Sequence, residues 1–146
     1  MTSVSSLESV DKPVLRAYLV LRIAFTIVPI IAGIDQFTNK LAEWDMYLAP
    51  VATRILPVSA RTFMMLAGAA EIVAGLITAF APRIGGWIVA IWLWLIIINL
   101  LAAQGFYDTA LRDLGLSLGA VALALLGAGF HRKSLEARPA QTENRS

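Results

Sequence analysis

Four runs of apolar residues, parted by charged or turn-forming residues, set the pattern of this chain at about 14–34, 62–81, 87–103 and 109–130. A helix needs roughly 20 apolar residues to cross the hydrocarbon of a bilayer, and these runs come close to that length. The second run is the most informative. Between Thr62 and Ala81 its one charge is Glu71, near the middle, where a carboxyl is costly unless it faces protein or water. Gly68, Glu71, Gly75 and Thr78 share one helical stripe bordered by Ala67 and Ala74. Small residues let a neighbouring backbone approach, so the stripe predicts a packing face with an acid set into it.

The other runs repeat the theme. The first carries Arg22, Thr26, Pro29 and Gly33 on one stripe, continued by Gln36 and Lys40, and Pro29 is expected to bend it. After the second run, Pro82, Arg83 and Gly85-Gly86 read as a tight hairpin. The third run is the most hydrophobic, and Asn99 is its one strongly polar residue. Asp108 is placed to cap the fourth helix, which begins with Arg112 and Asp113 and is uncharged from Leu114 to Phe130. Its stripe of Asp113, Ser117, Ala120, Ala124 and Gly127 lies beside the G-x-x-x-G pair Gly115 and Gly119.

Residues 35–60 are too polar, and too broken by Pro50 and Pro57, to span. Trp44, Tyr47, Leu48, Val51 and Ile55 nevertheless recur at amphipathic spacing. They predict two short segments on the membrane surface hinged at Pro50; an ordered loop capping the bundle is the alternative. Residues 1–13 read as a flexible polar N-terminus without the features of a signal peptide, and 131–146 as a disordered charged tail. The expected fold is all-α: a polytopic membrane protein with a four-transmembrane-helix bundle over 14–130 and an amphipathic interfacial segment between its first two helices.

Composition narrows the chemistry. The chain has 146 residues, 58% of them hydrophobic and only 15% charged, against about a quarter charged in a soluble domain. It has no cysteine, which removes disulfides, thiolate chemistry and iron–sulfur ligation. His131 is the one histidine, at a membrane exit, so neither bis-histidine haem nor a histidine metal site is expected within one chain. Ser117 has no histidine base at its depth, and no glycine loop follows a strand to cradle phosphate. Nothing in the modest basicity points to nucleic acid. No covalent cofactor, haem or metal is expected; a quinone or a lipid stays a candidate ligand, and a flat ring could stack on the deep Trp92 or Trp94.

Four crossings put both termini on one side. That side carries Lys12, Arg16, Arg83, Arg132, Lys133, Arg138 and Arg145, the other Lys40, Arg54, Arg61 and Arg112. The excess predicts cytoplasmic termini. Counted from the cytoplasmic helix ends, Arg22 lies about 12 Å deep and Glu71 about 15 Å, which predicts an Arg22–Glu71 pair. Asn99 and Asp113 fall about 22 and 25 Å deep. Asp35, Gln36, Lys40, Arg61, Asp108 and Arg112 then collect near the outer face, giving a polar column open outward and sealed inward by the ion pair. Each residue also has a structural reading: the pair fixing helix register, Asn99 as interhelical glue, and Arg112 and Asp113 as partners of the helix dipole.

Arg22, Gly33 and Lys40 in the first helix, Gly68, Glu71 and Gly75 in the second, and Gly127, Gly129, Ser134, Leu135 and Glu136 at the end resemble the DoxX/DoxD family of small bacterial membrane proteins. The resemblance covers most of residues 15–136. It implies a four-helix bundle in the bacterial inner membrane with Arg22, Glu71 and Lys40 as the family's polar positions. It also implies a role as a subunit tied to membrane redox assemblies, such as the small subunit of thiosulfate:quinone oxidoreductase. The Trp44–Pro57 segment and the Arg112-Asp113 helix start depart from the family pattern, which puts partner and ligand in doubt. Two functions follow. One is an accessory or assembly subunit without catalysis of its own, held in lipid beside protein partners or further copies of itself. The other is a quinone-site or small-ligand subunit, or a small transporter, with a polar cavity at Arg22 and Glu71.

Overall fold

In a computed structural model the chain is all-α, and four of its helices are long and apolar enough to span a membrane. Backbone is described for residues 4–55 and 58–143, and side chains for 12–132 of these apart from Thr53. Helix α1 covers Val4–Thr38, a short 3₁₀ helix Trp44–Tyr47, α2 Pro50–Ile55, α3 Ala60–Phe80, α4 Pro82–Ala103 and α5 Tyr107–Glu143. The membrane-crossing portions are Lys12–Thr38, Ala60–Phe80, Pro82–Ala103 and Tyr107–Arg132. The protein is a multi-pass membrane protein.

Several boundaries differ from the sequence expectation. The segments read as a flexible N-terminus and a disordered tail are helical from Val4 and as far as Glu143. With 35 and 37 residues, α1 and α5 are about 52 and 55 Å long, well beyond the ~30 Å of hydrocarbon. Their surplus turns lie at the end of the bundle that carries both termini. Helix α1 runs on through Pro13 and Pro29. The α3–α4 joint is tighter than expected. Ala81 alone separates the two helices, and Pro82 occupies the first helical position of α4, where its missing N–H costs nothing. Gly85 and Gly86 therefore belong to α4, and they are contact residues: a Cβ on Gly86 would lie 2.7 Å from the Ala120 carbonyl oxygen. Asp108 is exposed in the first turn of α5 and does not cap it. The α4–α5 turn passes through Gln104 (φ +54°) and Gly105 (φ +107°), a backbone that glycine adopts freely.

Lipid offers apolar side chains no reason to leave it, so helices associate through close backbone approach and polar contacts. The main packing pairs are α1 with α3 and α4 with α5; α3 against α4 is a lesser seam. Glycine sets the first pair. A Cβ on Gly68 would meet the Gly33 carbonyl oxygen at 2.6 Å, and one on Gly75 the Thr26 carbonyl oxygen at 2.8 Å. These contacts fix an antiparallel register in which Gly33 faces Gly68 and Thr26 faces Gly75. Gly119 meets the Phe25 ring, linking α5 to α1. Gly115, expected on the packing face, has no neighbour within 4 Å of a Cβ position and faces outward. Its G-x-x-x-G spacing aligns it with Gly119, but the helix turns about 40° over four residues and the contact ends.

The core has two apolar layers. One, toward the terminal end, gathers Phe25, Ala74, Val89, Ala90, Ala120 and Leu123. The other, toward the loop end, gathers Ile97, Leu100 and Ala110 with Tyr47, Phe106 and Leu114 around them. A polar layer lies between.

Candidate functional site

The polar layer draws one side chain from each spanning helix. Glu71 of α3 is buried, 8% exposed, and accepts a hydrogen bond from Trp92 Nε1 of α4 at 3.1 Å. The Gln36 side chain of α1 lies beside the same carboxyl. Asp113 of α5, also buried, is near enough to interact with it electrostatically. Asp113 takes its own hydrogen bond from Arg112 Nε at 3.2 Å, while the Arg112 side chain stands in the open. Ser117 joins this layer, while Thr78 lies two turns from Glu71 toward the terminal end against Gly85; both are fully buried and donate to carbonyls of their own helices, Leu114 and Ala74. Gln36 Oε1 is buried without a hydrogen-bond partner.

The expected Arg22–Glu71 pair does not form. Arg22 Nη2 donates instead to the Ala79 carbonyl oxygen at 2.5 Å, near the end of α3. The reason is register. With Gly33 facing Gly68, Arg22 is level with Ala79, eight residues or about 12 Å from Glu71 along α3. Counting depth from Val14 placed Arg22 too far in, because α1 begins at Val4 and enters the membrane with no break there. Arg22 thus satisfies a carbonyl that the helix end leaves without a partner.

The expected outer column also divides. Arg61 donates to the carbonyl oxygens of Gln36 (3.1 Å) and Phe37 (2.6 Å), closing the C-terminus of α1. Asp35, 4% exposed, turns the chain out of α1. It accepts from the backbone N–H groups of Lys40, Leu41 and Ala42, from Thr38 Oγ1, and from Trp44 Nε1 at 2.8 Å. Lys40 itself is exposed, as are Asp108 and Arg112, and none of the three enters the interior.

Asn99 is glue of a different kind from that expected. Its Nδ2 donates to the Tyr47 carbonyl oxygen (2.7 Å) and its Oδ1 accepts from Ala49 N–H (3.0 Å), so it ties α4 to the loop rather than to another helix. Tyr47 stacks at a tilt on Phe106, and Ala49 is fully buried. The segment caps the bundle with two short helices on either side of Leu48 and Ala49; Pro50 opens the second of them, and Pro57 lies outside the described residues. Asn99→Leu is expected to free this segment at a cost of about 2 kcal/mol, since both a donor and an acceptor are left unpaired. Limited proteolysis within 44–55 should become faster while helix content stays constant.

Trp92 is the residue that sequence reasoning passed over as Glu71's partner. Its signal was available: an indole N–H too deep for the headgroup belt must find an acceptor in the interior. Trp94, by contrast, is half exposed toward lipid. A lipid-facing groove of about 250 Å³, lined by Val58, Phe63, Leu66, Ala67 and Trp92, reaches the outer side of the same indole. Trp92 therefore separates Glu71 from the groove. Among the described residues no three His, Cys, Asp or Glu side chains are grouped to hold a metal.

No protein-family model matches the chain, and no characterised protein or solved structure matches it significantly.

Proposed function

We propose that this protein is a DoxX-like accessory subunit of the bacterial inner membrane, with cytoplasmic termini. It supports a membrane redox assembly near the quinone pool and contributes a shaped bundle rather than catalysis. One observation carries this reading: Glu71 of α3 accepts a hydrogen bond from Trp92 of α4 with the Gln36 side chain of α1 beside it, so three helices meet at the buried acid. Arg22, Arg61, Asn99 and Asp35 support it in the same way, each bonded to main-chain groups at a helix end or loop. Polar side chains used like this hold a surface in shape for a partner.

A second reading, a subunit that receives a quinone or another small ligand from the lipid, is favoured by the unpartnered Gln36 Oε1 and by the groove against Trp92. Glu71→Gln separates the two. The amide keeps one acceptor but turns a second donor toward Trp92 and Gln36, a loss of about 1–2 kcal/mol. The accessory reading expects a lower melting temperature in mild detergent and fewer proteins co-purifying from native membranes. An unchanged assembly that no longer retains quinone would give the site to the ligand.

A further inference from the structure

We propose that the polar layer inside the bundle binds one alkali-metal cation through oxygens of Gln36, Glu71, Asp113 and Ser117. These residues come from α1, α3 and α5. Gln36 Oε1 is the atom that points to a ligand. It belongs to a side chain 1% exposed and has no hydrogen-bond partner. An acceptor buried without a partner is costly, so its position matters. It sits in the α1–α3 seam, 3.2 Å from where a Cβ on Gly68 would be, and Glu71 is one turn further along α3. The same Gln36 side chain lies beside the Glu71 carboxyl. Ser117 Oγ gives its hydrogen to the Leu114 carbonyl oxygen, so it too has only lone pairs left to offer.

Charge sets the valence. Glu71 and Asp113 are both buried and feel each other electrostatically. Arg112 matches the charge of Asp113. Arg22 and Arg61 are bonded to carbonyl oxygens at helix ends, about 12 and 15 Å along α3 from Glu71. One carboxylate charge is left over among inward-facing oxygens, and within a membrane it needs one positive charge beside it. Among the described residues no third Asp, Glu, His or Cys joins the two acids, so a divalent or transition metal lacks its ligands. Carboxylate, amide and hydroxyl oxygens suit a hard monovalent ion. A proton would cancel the charge but engage two oxygens only. The ion has a way in from the loop end, where Arg112 is exposed and Asp113 lies within two turns of the start of α5. It leaves the groove on the far side of Trp92 free for either function.

The test uses the full-length protein in mild detergent at neutral pH, with choline chloride exchanged for sodium or potassium chloride at constant ionic strength. The melting temperature should rise and saturate with sodium, potassium or both, by roughly 5–10 °C at a hundredfold excess over the dissociation constant. Choline is too large to enter. Equilibrium dialysis of the wild-type protein with radioactive sodium or potassium should count one ion per chain. Gln36→Leu removes the unpaired oxygen without changing charge and should weaken that binding at least about tenfold. Glu71→Gln should abolish it. If either variant fails to fold, the wild-type dialysis decides alone. Equal melting temperatures in the three salts, or no saturable ion in dialysis, overturns the proposal. So does undiminished binding to Gln36→Leu. A gain in melting temperature on acidifying the choline solution, without any response to sodium or potassium, gives the layer to a proton and overturns it as well.

Discussion

Gly68→Leu is expected to separate α1 from α3 and to cost at least about 3 kcal/mol, the upper end for overpacking a close contact. No small adjustment relieves it. The first carbon of the new side chain would already lie 2.6 Å from the Gly33 carbonyl oxygen and 2.9 Å from Gln36 Cβ, and the former is rigid helix backbone. Displacing α1 there also pulls Gln36 off Glu71, so the polar layer should come apart with the apolar contact. Gly115→Leu is the matched control. It adds the same side chain to a helix facing open space, and replacing glycine in a helix should gain about 0.5–1 kcal/mol. Denaturation of both variants in detergent, followed by circular dichroism, measures the difference. Equal stability of the two would mean that α1 and α3 do not cross at Gly33 and Gly68.

The second large effect is expected at Asp35. Removing its carboxyl in Asp35→Ala leaves three backbone N–H groups and the Trp44 indole without their acceptor. Unsatisfied donors cost about 1–3 kcal/mol each when buried, but water reaches part of this turn, so a total of about 3 kcal/mol is reasonable. Amide hydrogen exchange at Lys40, Leu41 and Ala42 should then accelerate by roughly 150-fold, the equivalent of that energy. Exchange within α4 should not change. Asp35→Asn, which keeps one acceptor oxygen, should fall between. If the three amides exchange at the wild-type rate in Asp35→Ala, the carboxyl does not hold the turn.

Much of the fold was legible because membrane helices announce themselves by length and apolarity. The interior position of Glu71 was legible too, since Gly68 and Gly75 mark the face on which it lies. Its partner was not. Charge complementarity pointed to Arg22, but which residues meet depends on the register of two helices, and register is decided by backbone contacts such as Gly33 on Gly68. The turn at Asp35 was hidden for a related reason. Most of its partners are main-chain N–H groups, which every residue but proline carries and which leave no mark in a sequence. Gly85 and Gly86 misled in the opposite direction: following a proline they resemble a loop, yet they are small because α5 and Thr78 press against them.

The unequal packing of the four long helices bears on how the protein is made. Both tight partnerships, α1 with α3 and α4 with α5, join segments that follow one another as they leave the ribosome, and the weaker seam joins the two halves. The N-terminal half can complete its glycine-lined crossing while the rest is still being synthesised, and the C-terminal half can close across its three-residue turn. The indole of Trp92 meets the waiting carboxyl only when the halves dock. That bond therefore spans the junction between the two halves, with Glu71 in the first and Trp92 in the second.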